Sequence, residues 1–122
     1  MKKVLIVEDE QALSAAYKTI LEKHGFKPAV AGNGQEALEA IEKERPDVIL
    51  LDMKMPKMSG LEFLKALETV THDMKVIVFS NMDTQTEIDE AFRLGAKRYI
   101  IKSWASPQDL VRVVNEALDS KE

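Results

Sequence analysis

The chain has 122 residues, which suits a single domain over residues 1–122 built round one core and leaves no room for a second globular unit. Hydrophobic residues supply 45% and charged residues 31%, a balance that excludes disorder, and a net charge of -4 excludes the broad positive field of a direct nucleic-acid binder. The absence of cysteine excludes a disulfide framework, thiolate metal sites and a cysteine nucleophile.

Along the chain, Met1, Lys2 and Lys3 precede an apolar run of only residues 4–7, too short for a secretory signal. No other apolar stretch is long enough for a bilayer, so the expectation is a cytoplasmic chain with no membrane insertion. Run 4–7 is apolar on both parities, as a strand covered on two faces must be. Leu13, Ala16, Tyr17, Ile20 and Leu21 then form one helical stripe, and Gly25 stands where that helix should stop. Residues 26–31 read as a further strand, and Pro28, which cannot donate to a central ladder, places it at a sheet edge. Gly32, Asn33 and Gly34 read as a loop, without the lysine of a phosphate-binding loop or a dinucleotide fingerprint. Asn33 and Glu36 have capping-box spacing before a helix carrying Ala37, Leu38 and Ile41, and the charges of 36–45 form its solvated face.

Run 48–51 is another two-faced strand, followed by the cap pair Ser59 and Glu62 and a helix with Leu61, Leu64 and Leu67. Run 76–79 precedes the cap pair Thr84 and Glu87, a stripe of Ile88, Ala91 and Phe92, and a stop at Gly95. A short strand at 100–101 leads to Ser106 and Pro107, an N-cap followed by proline at the first helical position. The last stripe is Leu110, Val113, Val114, Ala117 and Leu118. Five strands alternate with five helices, which predicts an α/β doubly wound parallel sheet whose ligands bind beyond the carboxyl ends of the strands.

Those ends deliver Glu8 and Asp9, Asp52, Ser80 and Lys102, from four different strands. Three carboxylates in one crevice repel each other and call for a cation, and all-oxygen ligands suit a hard one such as Mg²⁺. Lys102 supplies the remaining positive charge, and Asp52 is then placed to attack phosphorus as a nucleophile. Phosphoryl transfer asks a protein mainly for positioning and charge neutralisation, which a metal, a lysine and a hydroxyl provide.

The segments VLIVEDE, VILLDMKMPKMSGLEFL, VIVFSN and GAKRYIIKS, in this order and spacing, resemble the response-regulator receiver domain of two-component signalling over nearly the whole chain. The resemblance implies a flavodoxin-like, CheY-like sheet of order 2-1-3-4-5, with Asp52 phosphorylated in a Mg²⁺- or Mn²⁺-dependent reaction. It implies Asp9 as a direct metal ligand, Glu8 acting on the metal mostly through water, and the backbone carbonyl of Lys54 as a further ligand. Ser80 would hydrogen-bond the phosphoryl group, Lys102 would pair with it, and Tyr99 would be a switch aromatic. The implied partners are a sensor histidine kinase or phosphotransfer protein, docking beside the first helix, and an output protein on the surface of helix four, strand five and helix five. The chain would catalyse only its own phosphorylation and dephosphorylation.

Two departures stand out. Ser103 replaces the proline that usually follows the lysine, so the Lys102-Ser103 bond is expected to be trans and the loop rearranged, with Trp104 packed against it. Asn81 replaces a small residue and is expected to narrow access to Asp52. Lys54 and Met82, two residues beyond Asp52 and Ser80, fall where the resemblance implies the path of hydrolytic water, so they are expected either to set phosphoryl lifetime by bulk and charge or to be simple solvent-exposed residues. Met53, Met55 and Met58 read as packing residues rather than a soft-metal site, and His24 and His72 as isolated surface residues. Competing readings are a phosphorylation-independent interaction module, a metal phosphohydrolase, which would need an aspartate where Lys54 stands, and a flavin or nucleotide binder, which Glu8 and Asp9 would repel.

Overall fold

A computed structural model describes residues 1–70 and 73–119. Strands β1 (Lys3–Val7), β2 (Lys27–Ala31), β3 (Val48–Leu51), β4 (Lys75–Ser80) and β5 (Arg98–Ile101) alternate with helices α1 (Gln11–Lys23), α2 (Gly34–Lys43), α3 (Gly60–Glu68), α4 (Gln85–Arg93) and α5 (Pro107–Asp119). The strands form one parallel sheet in the order β2-β1-β3-β4-β5, as the resemblance implies.

Strand alternation divides the expected single core into two. Leu5, Val7, Ile49, Leu51, Val76 and Val78 face Ala37 and Ile41 of α2, Phe63, Leu64 and Leu67 of α3, and Ala91 of α4. Val4, Ile6, Val48, Leu50, Ile77 and Phe79 face Leu21 of α1 and Leu110, Val113, Val114 and Ala117 of α5. Each fully buried side chain of this size contributes about 1.5–3 kcal/mol, so both faces hold the central strands rigidly. β2 lies at the edge, where Pro28 is tolerated opposite Val4.

The helix punctuation follows local chemistry. Gly25 and Gly95 have φ of 84° and 108°. Phe26 N–H reaches Leu21 O and Gly25 N–H reaches Glu22 O, and the same pair of bonds recurs from Ala96 to Ala91 and from Gly95 to Phe92, so both helices end in a Schellman motif. Ser59 and Glu62 form the full reciprocal box. The Asn33 and Thr84 boxes are half-formed: Glu36 Oε1 accepts from Gly32 N–H at 2.8 Å, and the Thr84 hydroxyl donates to Glu87 Oε1 at 2.5 Å. Ser106 caps α5 through Asp109 N–H, and Asp109 Oδ2 accepts from Ser106 N–H.

Between β3 and α3 the chain turns under tight constraint. Lys57 has φ of 65° while Met58 N–H reaches Pro56 O at 2.7 Å, a γ-turn. Gly60 N–H then donates to Met53 O at 3.0 Å. A β-carbon on Gly60 would lie 2.6 Å from Met53 Cα and 2.7 Å from Asp52 O, so only glycine lets α3 start this close to the end of β3. Gly60→Ala is therefore expected to lower stability by about 3 kcal/mol through overpacking against backbone. Gly25→Ala, with open space round the site, should lose only about 1 kcal/mol from its left-handed backbone. Urea unfolding followed by circular dichroism checks the order; equal losses would contradict it.

Candidate functional site

Register brings the strand exits to one edge. Val7 pairs with Leu51 and Leu51 with Val78, while Ser80 pairs with Ile101. Glu8 and Asp52 are therefore neighbours, Asp52 N–H continues the ladder to Val7 O at 3.0 Å, and Lys102 leaves β5 beside Ser80. An open cleft of about 530 Å³ there is lined by Glu8, Asp9, Glu10, Asp52, Lys54, Ser80, Asn81, Met82 and Lys102.

Three of the strand exits are fastened alike: the polar side chain accepts a hydrogen bond from the main-chain N–H two residues on. Glu10 N–H donates to Glu8 Oε2 at 3.2 Å, Lys54 N–H to Asp52 Oδ1 at 3.2 Å, and Met82 N–H to Ser80 Oγ at 3.3 Å. Glu8, Asp52 and Ser80 are buried and Asp9 is exposed. Carboxylate oxygens of Glu8, Asp9 and Asp52 lie within 4.8 Å of one another, an acidic pocket that could bind a metal. Its donor set is all oxygen, which fits a hard divalent cation.

Lys102 reaches into the same pocket, with Nζ bonded to Glu8 Oε1 and 3.1 Å from Asp52 Oδ2. Burial raises the Glu8 carboxyl above its ordinary value, and the Asp52 charge adds to that, while the Lys102 ammonium and the Glu10 N–H partly oppose it. For Lys102 burial pulls downward, but the bonds and charges of Glu8 and Asp52 outweigh it and raise the ammonium overall.

Tyr99 is half-buried and its hydroxyl donates to Met82 O at 2.6 Å. Burial, with the charges of Glu87, Asp52 and Asp83, pushes its phenol up to about 12, so it remains a donor. Among the described residues no peptide bond is cis, and Lys102–Trp104 form a 3-10 turn, as expected for a loop without the proline. Trp104 does not pack against it. Lys102 turns toward the carboxylates and Ala105 packs on the α1/α5 side of the sheet, which leaves Trp104 79% exposed between them.

Asn81 lines the cleft, but its side-chain oxygen accepts from Ser103 N–H at 2.9 Å, a link the sequence reading missed. The signal was present in the two departures themselves, since only a residue other than proline at 103 has an N–H to give. Met53 is buried in the core on the α2, α3 and α4 side of the sheet, and Met55 and Met58 pack against that core, supporting the packing reading. His24 is exposed with Nδ1 2.9 Å from Ile20 O, and His72 lies outside the described residues.

The model of the response regulator receiver domain family matches residues 4–115. The chain is 36% identical over 101 residues to sporulation initiation phosphotransferase F of Bacillus subtilis, covering 83% of this chain and 82% of that protein. It is 35% identical over 116 residues to the chemotaxis protein CheY of Thermotoga maritima, covering 94% and 96%. A crystal structure of a CheY-like response regulator receiver domain protein from Methanospirillum hungatei superposes with a TM-score of 0.92 at 33% identity, covering 98% of this chain and 94% of that one.

The charge balance of the pocket generates a pH prediction. Lys102→Met removes an influence that lowers the Glu8 carboxyl, so its folded value rises further above the ordinary 4.5. The folded state then holds the proton more tightly than the unfolded one, and stability falls as pH rises through the window above 4.5. In metal-free buffer the variant should lose about 3 kcal/mol at neutral pH and much less near pH 4, as read by urea unfolding. A penalty independent of pH would contradict the charge account. In the wild type, the Lys102 contribution is complete below the ordinary lysine value and fades as pH rises through the raised one.

Proposed function

The chain belongs to the response regulator receiver family, and from that premise we propose that residues 1–122 act as one phosphoryl-accepting switch with Asp52 as the acceptor. Response regulators work with histidine kinases and output partners, and the observation carrying the assignment is the meeting of Glu8, Asp9, Asp52, Ser80 and Lys102 in one cleft. An Asp52 oxygen attacks the phosphorus of a phosphohistidine, the P–N bond breaks, and the imidazole keeps the electron pair. Glu8, Asp9 and Asp52, with the backbone carbonyl of Lys54, would hold Mg²⁺ or Mn²⁺, which when bound supplies charge neutralisation for the phosphoryl oxygens.

The remaining work falls to side chains of this protein. Lys102, now shared by Glu8 and Asp52, is within reach of a phosphoryl group on Asp52 and would pair with it. Ser80 Oγ already accepts from Met82 N–H, which leaves its hydroxyl hydrogen free to donate to a phosphoryl oxygen. That closure draws on the Met82 N–H, and the carbonyl of the same residue is held by Tyr99, so phosphorylation would be felt at β5 and on the α4, β5 and α5 surface. An output protein would bind there, and a histidine kinase or phosphotransfer protein beside α1.

Among the described residues no helix is long and apolar enough to cross a membrane; the cytoplasmic placement we propose rests on the family assignment. Lys54 stands where a phosphohydrolase of this type needs a second acid, so the chain acts on itself rather than turning over a small phosphoester.

Incubation with Mg²⁺ and a small acyl phosphate should add the mass of one phosphoryl group to the wild type and none to Asp52→Asn, by intact mass spectrometry. A gain in Asp52→Asn, or none in the wild type, would refute the assignment. Lys54 and Met82 both line the cleft. Replacing both by alanine opens a path for water and should shorten phosphoryl lifetime by roughly three- to ten-fold, about 0.7–1.4 kcal/mol of barrier. An unchanged dephosphorylation rate would remove these side chains from the account.

A further inference from the structure

The 3-10 turn of Lys102–Trp104 begins with an orphan donor, because the first N–H groups of any helical turn have no partner within it. Ser103 N–H finds its acceptor in Asn81 Oδ1 at 2.9 Å, across 22 residues of sequence. Register brings the two close: Ser80 pairs with Ile101, so Asn81 follows opposite Lys102, and Ser103 stands one residue beyond. The turn is otherwise lightly held. Ser103 and Trp104 are exposed, Ala105 N–H bonds back to Lys102 O at 3.2 Å within the turn, and Ala105 packs against the core.

The bond therefore joins the residue beside the Ser80 hydroxyl to the residue beside the Lys102 ammonium. Glu8 and Asp52 hold the Lys102 ammonium in the structure, but on leaving them for a phosphoryl group its four-carbon stem would have considerable freedom, and the backbone sets where that stem begins. We infer that Asn81 is a positioning residue that fastens the Lys102 turn to the end of β4, so that Ser80 and Lys102 close on a phosphoryl group as one unit. This rests on the function proposed above; Asn81 itself touches no reacting atom in this account and acts through Lys102 and Ser80. Asn81 also lines the cleft, so it occupies the junction between the two loops that would move together.

The test compares wild type, Asn81→Ala and Asn81→Asp, the last of which keeps an acceptor oxygen at the same place. One arm reads backbone amide exchange of Ser103 without any phosphodonor. The other reads the rate of phosphoryl uptake from a small acyl phosphate with Mg²⁺, at limiting and at high donor concentration. Asn81→Ala should speed Ser103 exchange and lower the uptake rate at high donor by about three- to ten-fold, the range a single solvent-accessible hydrogen bond can supply. The donor concentration giving half that rate should be unchanged, since Lys102 acts on charge that develops during transfer. Asn81→Asp should restore slow Ser103 exchange and most of the rate.

Two results overturn the positioning role while leaving the proposed function standing: wild-type Ser103 exchange in Asn81→Ala, or fast exchange accompanied by a wild-type uptake rate. Absence of uptake by the wild type overturns the proposed function, and the positioning role with it.

Discussion

Three carboxylates drawn into one partly buried cleft are the constraint to which the rest of the molecule answers. Glu8, Asp9 and Asp52 repel one another, and burial of Glu8 raises its carboxyl, so the arrangement is unfavourable on its own terms. It persists because Val7, Leu51 and Val78 are locked in adjacent registers by cores on both faces of the sheet. The stability of the scaffold offsets the local cost, and Lys102 returns part of it by bridging Glu8 and Asp52. A site with excess negative charge is also one that gains most from a cation, and under the proposed function a bound cation would admit an anionic phosphodonor to the same carboxylates whose repulsion weakens the fold.

Side-chain placement inside that cleft is a main-chain matter. Glu8, Asp52 and Ser80 each take the N–H two residues ahead, which turns the backbone sharply out of the strand and orients the side chain at once. For Asp52 the turn is so close that α3 must begin with Gly60, whose hydrogen leaves room for the Asp52 carbonyl. The β3–α3 loop, with Lys57 in a left-handed conformation, carries strain that the buried ends on either side can absorb.

Much of this could be read from residues alone, for identifiable reasons. Runs such as 48–51 are apolar on both parities, and no other environment suits them, so strand number and burial followed. Pro28 placed β2 at an edge, and Gly25 and Gly95 marked helix ends through a conformation that other residues adopt only at a cost. The site residues were legible because they recur at the same strand end in four separate elements. Reciprocal capping was less legible: Glu36 has two N–H groups within reach and takes Gly32 rather than Asn33, a choice made by loop geometry that spacing does not encode. The exposure of Trp104 depended on which way a three-residue turn faces, and the Asn81 and Ser103 bond on strand register across 22 residues; both are tertiary facts.

The backbone of Met82 brings these threads together. Its N–H is held by Ser80 and its carbonyl by Tyr99, so the backbone of one residue, two peptide planes meeting at its Cα, spans from the cleft to β5. Under the proposed function, a displacement of the Ser80 hydroxyl toward an incoming oxygen would pull on the Met82 N–H, and rotation about φ and ψ of Met82 would carry that movement to the carbonyl that Tyr99 grips. Tyr99 could follow because its phenol, kept protonated by burial and nearby acids, has no other acceptor among the described residues, and it lies half-buried between core and surface. Under the proposed function, phosphoryl transfer at Asp52 would thereby be converted into a change in the packing of an aromatic ring, large enough for a protein surface to register.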